Sequence, residues 1–413
     1  MSKVLVVTGC AGFIGLNFLK HVMKSNVKEH YDQIVSIDKM GYASTYNVDY
    51  YSDICKDRHI TRIDANINDL PSIDFSMNTT VDIVNFASES HVDNSIAAPE
   101  KIFLENSQIT VNLLKIFPKE MIRKFIHIST DEVYGELEYG CEYSDWFKPG
   151  DPISPNNPYS ASKVAQDAYL MSMRHTFGLN VQFVRMANQF GPHQHPEKMF
   201  PSSILKVIKK EPITIYGSGE NIRQWTPVVH TVKVIYDLLF NNGNEDVLIA
   251  KHYKPLFNNN EIVNIWLGIF ERQYNMRTEI TYIGDRKGHD TMYALQTTDR
   301  VRSYFNNTLG DEFEATIKHY VDNQDIYLKK TLVEEVKEVL DKVPEEIKEV
   351  LDDVKKVTEE VKEVKKVTDE VKKVVEEVKK VEAIKKPPAP KPKPKPKPKI
   401  NQNPVIDISM VDK

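Results

Sequence analysis

The stretch Val4-Leu5-Val6-Val7-Thr8-Gly9-Cys10-Ala11-Gly12-Phe13-Ile14-Gly15 decides how the chain folds. Four apolar residues stopped by Thr-Gly read as a short buried strand. The glycines at 9, 12 and 15 form a GxxGxxG loop, and a helical pattern follows through Lys24. Side chains in such a loop would block the backbone from approaching a pyrophosphate, whose charge the helix amino end stabilises. An ordinary tight turn is the competing reading, and the strand–loop–helix context weighs against it.

Further strands are expected at Gln33–Ile37, Ile83–Phe86, Phe125–Ile128 and Val181–Val184, with a helical pattern at Ile102–Phe117. Strands alternating with helices imply an α/β fold: a Rossmann-type parallel sheet with helices on both faces. Residues 1–185 are therefore expected to form a dinucleotide-binding domain. Residues 186–328, broken by Pro, Gly and Asn, are expected to form a smaller α/β substrate subdomain, with some segments free to return to the first domain. Asp38 ends the second strand, where a carboxylate holds ribose hydroxyls and repels a 2′-phosphate, which favours NAD over NADP. Its competing role is a turn cap. Asp64-Ala65, after the next strand, is an adenine-side candidate, with a surface-loop carboxylate as the alternative.

From Val333 to about residue 386, Val, Glu and Lys dominate, and apolar positions from Val336 to Val364 alternate in steps of four and three. That is a heptad pattern, broken once at Val361-Val364-Val367 and resumed at Val371. Pro344 reads as the start of the main helix. An oligomerising coiled coil and a solvated, charge-laced helix both fit. Residues 387–413 open with alternating Pro-Lys, which favours an extended, disordered spacer over a packed structure, with contact to anionic surfaces as a second reading.

The 413 residues carry 54 basic and 59 acidic side chains, a near balance that gives no footprint for nucleic acid. Three cysteines, Cys10, Cys55 and Cys141, at irregular spacing fit a reduced compartment and neither a disulfide framework nor a metal site. The first apolar run is too short for a signal peptide, and no segment is long and apolar enough for a membrane span. A soluble, cytoplasmic protein is expected.

Two motifs carry chemistry. Tyr159-Ser160-Ala161-Ser162-Lys163 is a YxxxK pattern, which on a helix puts the phenol and the ammonium on one face. The cation favours the phenolate, which then serves as a base; the alternative is a plain surface pair. Ser129-Thr130-Asp131-Glu132-Val133-Tyr134-Gly135 follows a strand, where ligands bind in parallel sheets. Two adjacent carboxyl groups there suit the removal of water from a sugar, which needs one acid and one base. Either carboxylate as a turn cap is the bland reading.

From about residue 3 to 325 the chain resembles the dTDP-glucose 4,6-dehydratases, within the extended short-chain dehydrogenases. The resemblance runs through the glycine loop, Glu89-Ser90-His91-Val92-Asp93, Thr130-Asp131-Glu132, Tyr159–Lys163, Gly191-Pro192, Pro196-Glu197-Lys198, Ile222-Arg223 and Gly288-His289-Asp290. It implies an NAD cofactor held by Gly9, Gly12, Phe13, Ile14, Gly15, Asp38, Lys39, Asp64, Ala65, Ala87, Ser88, Tyr159 and Lys163. It implies catalysis by Thr130, Asp131, Glu132, Tyr159 and Lys163, and a nucleoside-diphosphate hexose held by His91, Thr130, Asn188, Lys198, Arg223 and His289. Arg223 as a surface arginine and His289 as a loop-ordering residue are the alternatives. Tyr159 would take the C4 hydroxyl proton as NAD is reduced, Glu132 the C5 proton, and Asp131 would protonate the departing C6 hydroxyl, giving a 4-keto-6-deoxy sugar. A homodimer is implied, with the heptad segment as a possible second level of assembly. A sugar epimerase or decarboxylase on the same scaffold, and a catalytically silent NAD-binding scaffold, are the rival readings. Gln224–His230 and His252-Tyr253-Lys254 depart from the family pattern and leave thymidine and uridine as competing bases.

Overall fold

The computed structural model describes residues 2–341, apart from 74, 76–77, 242–245, 251–255, 286–287, 298 and 306–307. Its strands are β1 (Ser2–Thr8), β2 (Gln33–Asp38), β3 (Ile60–Asp64), β4 (Thr79–Asn85), β5 (Ile122–Thr130), β6 (Val181–Met186), β7 (Asn188–Phe190), β8 (Ile213–Tyr216), β9 (Trp225–Pro227), β10 (Val247–Ile249) and β11 (Ile280–Ile283). Its helices are α1 (Phe13–Lys24), α2 (Val48–Ile54), α3 (Val92–Ala97), α4 (Pro99–Ile116), α5 (Pro158–Phe177), α6 (Met199–Lys209), α7 (Val228–Leu238), α8 (Asn259–Tyr274), α9 (Asp299–Arg302), α10 (Leu309–Asp322) and α11 (Gln324–Asp341). The described residues up to Lys330 belong to one compact unit, and 331–341 to a second.

Seven parallel strands form the main sheet in the order β10-β6-β5-β4-β1-β2-β3. The central strands are buried on both faces, which is why they read as continuous apolar runs. One face packs Leu16, Leu19, Val232 and Ile235 from α1 and α7. The other packs Ile109 and Leu113 of α4 with Leu170 of α5. Each of the five strands expected from apolar runs is present. The short edge strand β10, in the apolar run Val247–Ala250 after a segment rich in Asn and Gly, was not among them.

The strand order reverses between β1 and β4, the point where parallel sheets open a crevice at their carboxyl ends. The glycine loop leaves β1 at that point. A β-carbon on Gly15 would sit 2.1 Å from the Gly9 carbonyl oxygen. The bare hydrogen is what lets α1 begin directly against β1.

A second core gathers Trp266 and Phe270 of α8, Phe200 of α6 and Phe313 of α10. Two small parallel pairs, β7–β9 and β8–β11, belong to this region, while α7 and β10 return to the main sheet. The change in composition at Val333 falls inside α11, which starts nine residues earlier, at Gln324, where Tyr327 is buried against Tyr46 and Tyr320. Pro344, the rest of the heptad segment and the Pro-Lys tail lie outside the described residues. Among the described residues no helix is long and apolar enough to cross a membrane.

Gly15→Ala is expected to cost roughly 1–3 kcal/mol or more, because the new carbon meets backbone that cannot yield. A urea unfolding midpoint equal to that of the unaltered chain would refute this.

Candidate active site

The cleft at the reversal point is lined by Gly9, Gly12, Phe13, Ile14 and Gly15, by Asp38 and Lys39, by Ala65, Ala87 and Ser88, and by Tyr159, Lys163 and Lys198. Helix α1 opens on it with Gly12 at its amino end, no side chain capping its free N–H groups and no acid in its first turn. Such an end attracts an anion. Asp38 sits at the end of β2 with both carboxylate oxygens accepting backbone N–H groups, from Ala11 at 2.9 Å and Met40 at 2.8 Å. These fix the carboxylate beside the glycine loop with lone pairs to spare for ribose hydroxyls. Burial raises its pKa, against those two N–H groups. The donor set therefore fits a dinucleotide without a 2′-phosphate.

Asp64 is absent from this lining. Its carboxylate takes a two-point contact from Arg62, at 2.7 and 2.8 Å, on the exposed end of β3. Ala65 and the three residues after it do line the cleft. Arg62 lies two residues before Asp64, on the same face of the strand, and this pairing was the signal to read.

Helix α5 is set by Asn157, whose side chain accepts from Ser160 N–H at 2.8 Å while the Ser160 hydroxyl accepts from Asn157 N–H at 3.2 Å. Pro158 in the first turn and Gly178 in the left-handed conformation at the end complete its limits. Tyr159 and Lys163 follow on one face. Lys163 is 2% exposed and donates to Gln166 Oε1 at 2.5 Å. Burial lowers its pKa to about 8, against the nearby charge of Asp167. Tyr159 moves the other way: burial and then the charges of Glu132, Asp131, Glu89 and Asp167 raise its pKa. The phenol holds its proton until a cation or a cofactor assists.

The acid pair lies in a 3-10 turn at the end of β5. Thr130 caps that turn, accepting from Glu132 N–H at 3.3 Å and donating to Asp131 Oδ1 at 3.2 Å, so its hydroxyl serves the acid pair directly. Asp131 is 2% exposed, and its Oδ2 has no hydrogen-bond partner. Burial, then the charge of Glu132, raises its pKa to about 7, with Arg223 and the Thr130 hydroxyl opposing. The two carboxyl groups are thus differently placed, because Glu132 Oε2 accepts from Asn157 Nδ2 at 2.9 Å. Asn157 joins the acid pair to the helix that carries Tyr159. Sequence reading missed it, although Asn-Pro before a helical YxxxK is a cap signal. It also missed Gln166, and Asn106 of α4, which accepts from Glu89 N–H and donates to Ser162 Oγ. A lone Asn inside a helix announces nothing.

The remaining predicted residues are not among the lining residues. Arg223 is buried, donates to the carbonyls of Ile222, Asp290 and Thr291, and stacks on Tyr293 at 4.4 Å. His289 Nδ1 lies 2.7 Å from Asp285 Oδ1. His91 sits 3.7 Å from both Asp93 and Glu197. Asn188 opens β7 beside β9. Two of the departures after Arg223 face inward: Gln224 exchanges hydrogen bonds with the backbone of Leu295, and His230 pairs with Glu312. His252-Tyr253-Lys254 lie outside the described residues. Among the described residues no group of side chains is placed to hold a metal ion.

A model of the NAD dependent epimerase/dehydratase family matches residues 5–250. A dTDP-glucose 4,6-dehydratase of Streptomyces antibioticus is 32% identical over 326 residues, 78% of this chain and 93% of that protein. The low-salt glycan biosynthesis protein Agl12 of Haloferax volcanii is 33% identical over 326 residues, 78% of this chain and 99% of that protein. Among solved structures, the dTDP-glucose 4,6-dehydratase DesIV of Streptomyces venezuelae, determined with NAD bound, matches with a TM-score of 0.69 at 28% identity. That match covers 79% of this chain and 99% of DesIV.

If the charge of Glu132 helps keep Asp131 protonated, Glu132→Gln lowers the Asp131 pKa from its value of about 7. Carboxyl titration by NMR reads this directly; an unchanged midpoint would assign the whole shift to burial.

Proposed function

The chain belongs to the NAD dependent epimerase/dehydratase family, and on that premise we propose that it is an NAD-dependent nucleotide-sugar 4,6-dehydratase. The observation that carries the reading is the unequal acid pair: Asp131 buried with its pKa at about 7, Glu132 tethered to Asn157. Elimination of water needs a neutral acid and an ionised base at neighbouring carbons. Epimerisation has no use for such a pair.

NAD, when bound, supplies the reversible electron acceptor for C4 and the donor for C6. The glycine loop and the amino end of α1 hold its pyrophosphate, and Asp38 its adenosine ribose. Tyr159 takes the C4 hydroxyl proton, with the Lys163 charge stabilising the phenolate. The C4 ketone acidifies the neighbouring C5 hydrogen, which Glu132 removes. Asp131 gives its proton to the C6 hydroxyl, which leaves as water. Loss of water leaves a C5–C6 double bond; hydride returned to C6, with the proton on Glu132 given back to C5, would give a 4-keto-6-deoxy nucleotide sugar, a precursor of rhamnose or another deoxysugar.

Thymidine and uridine diphosphates both remain as carriers of the hexose. Gln224 and His230 are engaged within the protein, and thymidine is favoured by the relatives' own names. Lys198, on the cleft wall, is the diphosphate ligand this reading favours. Arg223 is turned to other partners: its charge acts on Asp131 and it donates to the Asp290 carbonyl. Three free cysteines accord with reaction in the cytoplasm. A homodimer through α4 and α5 is supported by the exposure of Phe103, Leu104 and Met171 on these helices. The heptad segment is a candidate for a second level of assembly.

Incubation with dTDP-glucose or UDP-glucose is expected to give the alkali-dependent absorbance of a 4-keto-6-deoxy sugar. Glu132→Gln should slow product formation on the order of 100- to 10,000-fold, while reduced-cofactor fluorescence builds up. In the unaltered enzyme, turnover should fall as pH rises through about 7, where Asp131 loses its proton. No product from either sugar would sink the reading.

Leu104→Asp should convert a dimer to a monomer by light scattering. A single mass common to both proteins would move the interface elsewhere.

A further inference from the structure

Two loops border the cleft and are joined to each other. Residues 39–47 follow β2 and bring Gly41 and Ser44 to the lining; residues 191–198 follow β7 and bring His195 and Glu197. Tyr42 Oη donates to Glu197 Oε2, which joins them. The Tyr42 ring lies 4.3 Å from that of His195. His195 Nδ1 is 3.5 Å and His91 Nδ1 3.7 Å from the same Glu197 oxygen. Lys198 Nζ lies 3.4 Å from Glu197 Oε1 and donates to the Ser90 carbonyl at 3.1 Å, bringing in the loop after β4. Burial raises the pKa of Glu197, but Lys198, His195, Tyr42 and His91 outweigh it and hold the carboxyl below its ordinary range. The anion is the knot of three loops.

The base of the second loop is held just as firmly. His193 has φ +71°, a left-handed conformation uncommon outside glycine. Its buried ring is packed by Tyr50 at 4.5 Å and His319 at 4.9 Å, with Lys20 Nζ 2.7 Å from Nε2. Asn47 Nδ2 donates to the carbonyls of both His193 and Ala11, at 3.1 Å each, so one side chain ties this loop to the glycine loop. Such a conformation persists only where its surroundings over-determine it, and it concentrates at ligand clamps. Here it directs residues 194–198 toward the cleft wall.

We propose that Tyr42 and Glu197 form a clasp that retains NAD in the cleft. The clasp rests on the reading of the cleft as an NAD site. An occupant that touches both loops leaves only when the Tyr42–Glu197 contact parts. The two residues act on cofactor release and are positioning residues. This suits a reaction in which the cofactor ends each turnover in its starting state and has no need to exchange.

The test is a chase. The full chain is loaded with radiolabelled NAD, diluted into excess unlabelled NAD, and the retained label is followed by filtration. Tyr42→Phe and Glu197→Gln should each speed release on the order of tenfold, the effect of losing a hydrogen bond to a charged group. The double variant should release no faster than the faster single one, because both break the same contact. A residue that merely supports its own loop would show no such coupling. Unchanged release in both single variants overturns the clasp, and so do additive effects in the double variant. An unaltered chain that retains no label overturns the NAD reading and the clasp with it, which separates the two failures.

Discussion

The site depends on how closely two stretches of backbone approach at the end of the sheet. β1 and β4 are parallel neighbours, with Thr8 opposite Asn85. Gly9 follows Thr8 with φ +69°, and a β-carbon there would lie 2.9 Å from the Phe86 carbonyl carbon and the Ala87 nitrogen. Nothing larger than hydrogen fits between them. Because the two ends touch, the amino end of α1 and the loop after β4 share one cleft, and Asp38 on β2 reaches the loop from the other side. The cofactor cradle is a result of backbone contact first and of side-chain chemistry second.

The same strand ends carry a buried polar path across the sheet. Thr8 Oγ1 accepts from Ala87 N–H and donates to Asn85 Oδ1 at 2.6 Å. Asn85 Nδ2 lies 3.2 Å from His127 Nδ1, and His127 Nε2 lies 3.3 Å from Asp167 Oδ1. Arg185 donates twice to Asp167 Oδ2, at 3.2 and 2.9 Å. Burial lowers the His127 pKa to about 4, so the ring is neutral. Burial also pushes the pKa of Asp167 up, but His127, Arg185 and Lys163 outweigh it and hold the carboxyl ionised. Asp167 lies one helical turn beyond Lys163. Partly satisfied buried networks are costly, and this one joins the glycine loop to the helix of Tyr159 and Lys163. It gives both halves of the site one fixed frame.

Local patterns carried most of this. The run Val4–Gly15 encodes a strand, a turn and a helix start within twelve residues, and the YxxxK and Thr-Asp-Glu motifs each act over a few positions. What escaped was long-range. Asn157 and Glu132 are 25 positions apart, and Tyr42 and Glu197 are 155 apart. Asp64 stands outside the cleft lining with its carboxylate held by Arg62. Gln224 and His230 looked like departures in a binding surface and are packing partners of Leu295 and Glu312. A sequence displays chemical groups; it does not display which neighbours have already claimed them.

The electrostatics of the proposed chemistry follow from one cause acting on unlike groups. Burial favours neutral forms, so it raises Asp131 and Tyr159 and lowers Lys163. A neutral Asp131 spares Tyr159 one of the negative charges that would oppose its ionisation. The proposed elimination would move a proton onto Glu132 and another off Asp131. The pair carries one negative charge before and after, shifted by a single residue along the turn. In the return step, giving the Glu132 proton back to C5 would leave both carboxyl groups ionised and the C4 hydroxyl proton on Tyr159. A proton must then pass from Tyr159 to Asp131 before the next turnover, which restores the neutral acid and the phenolate together.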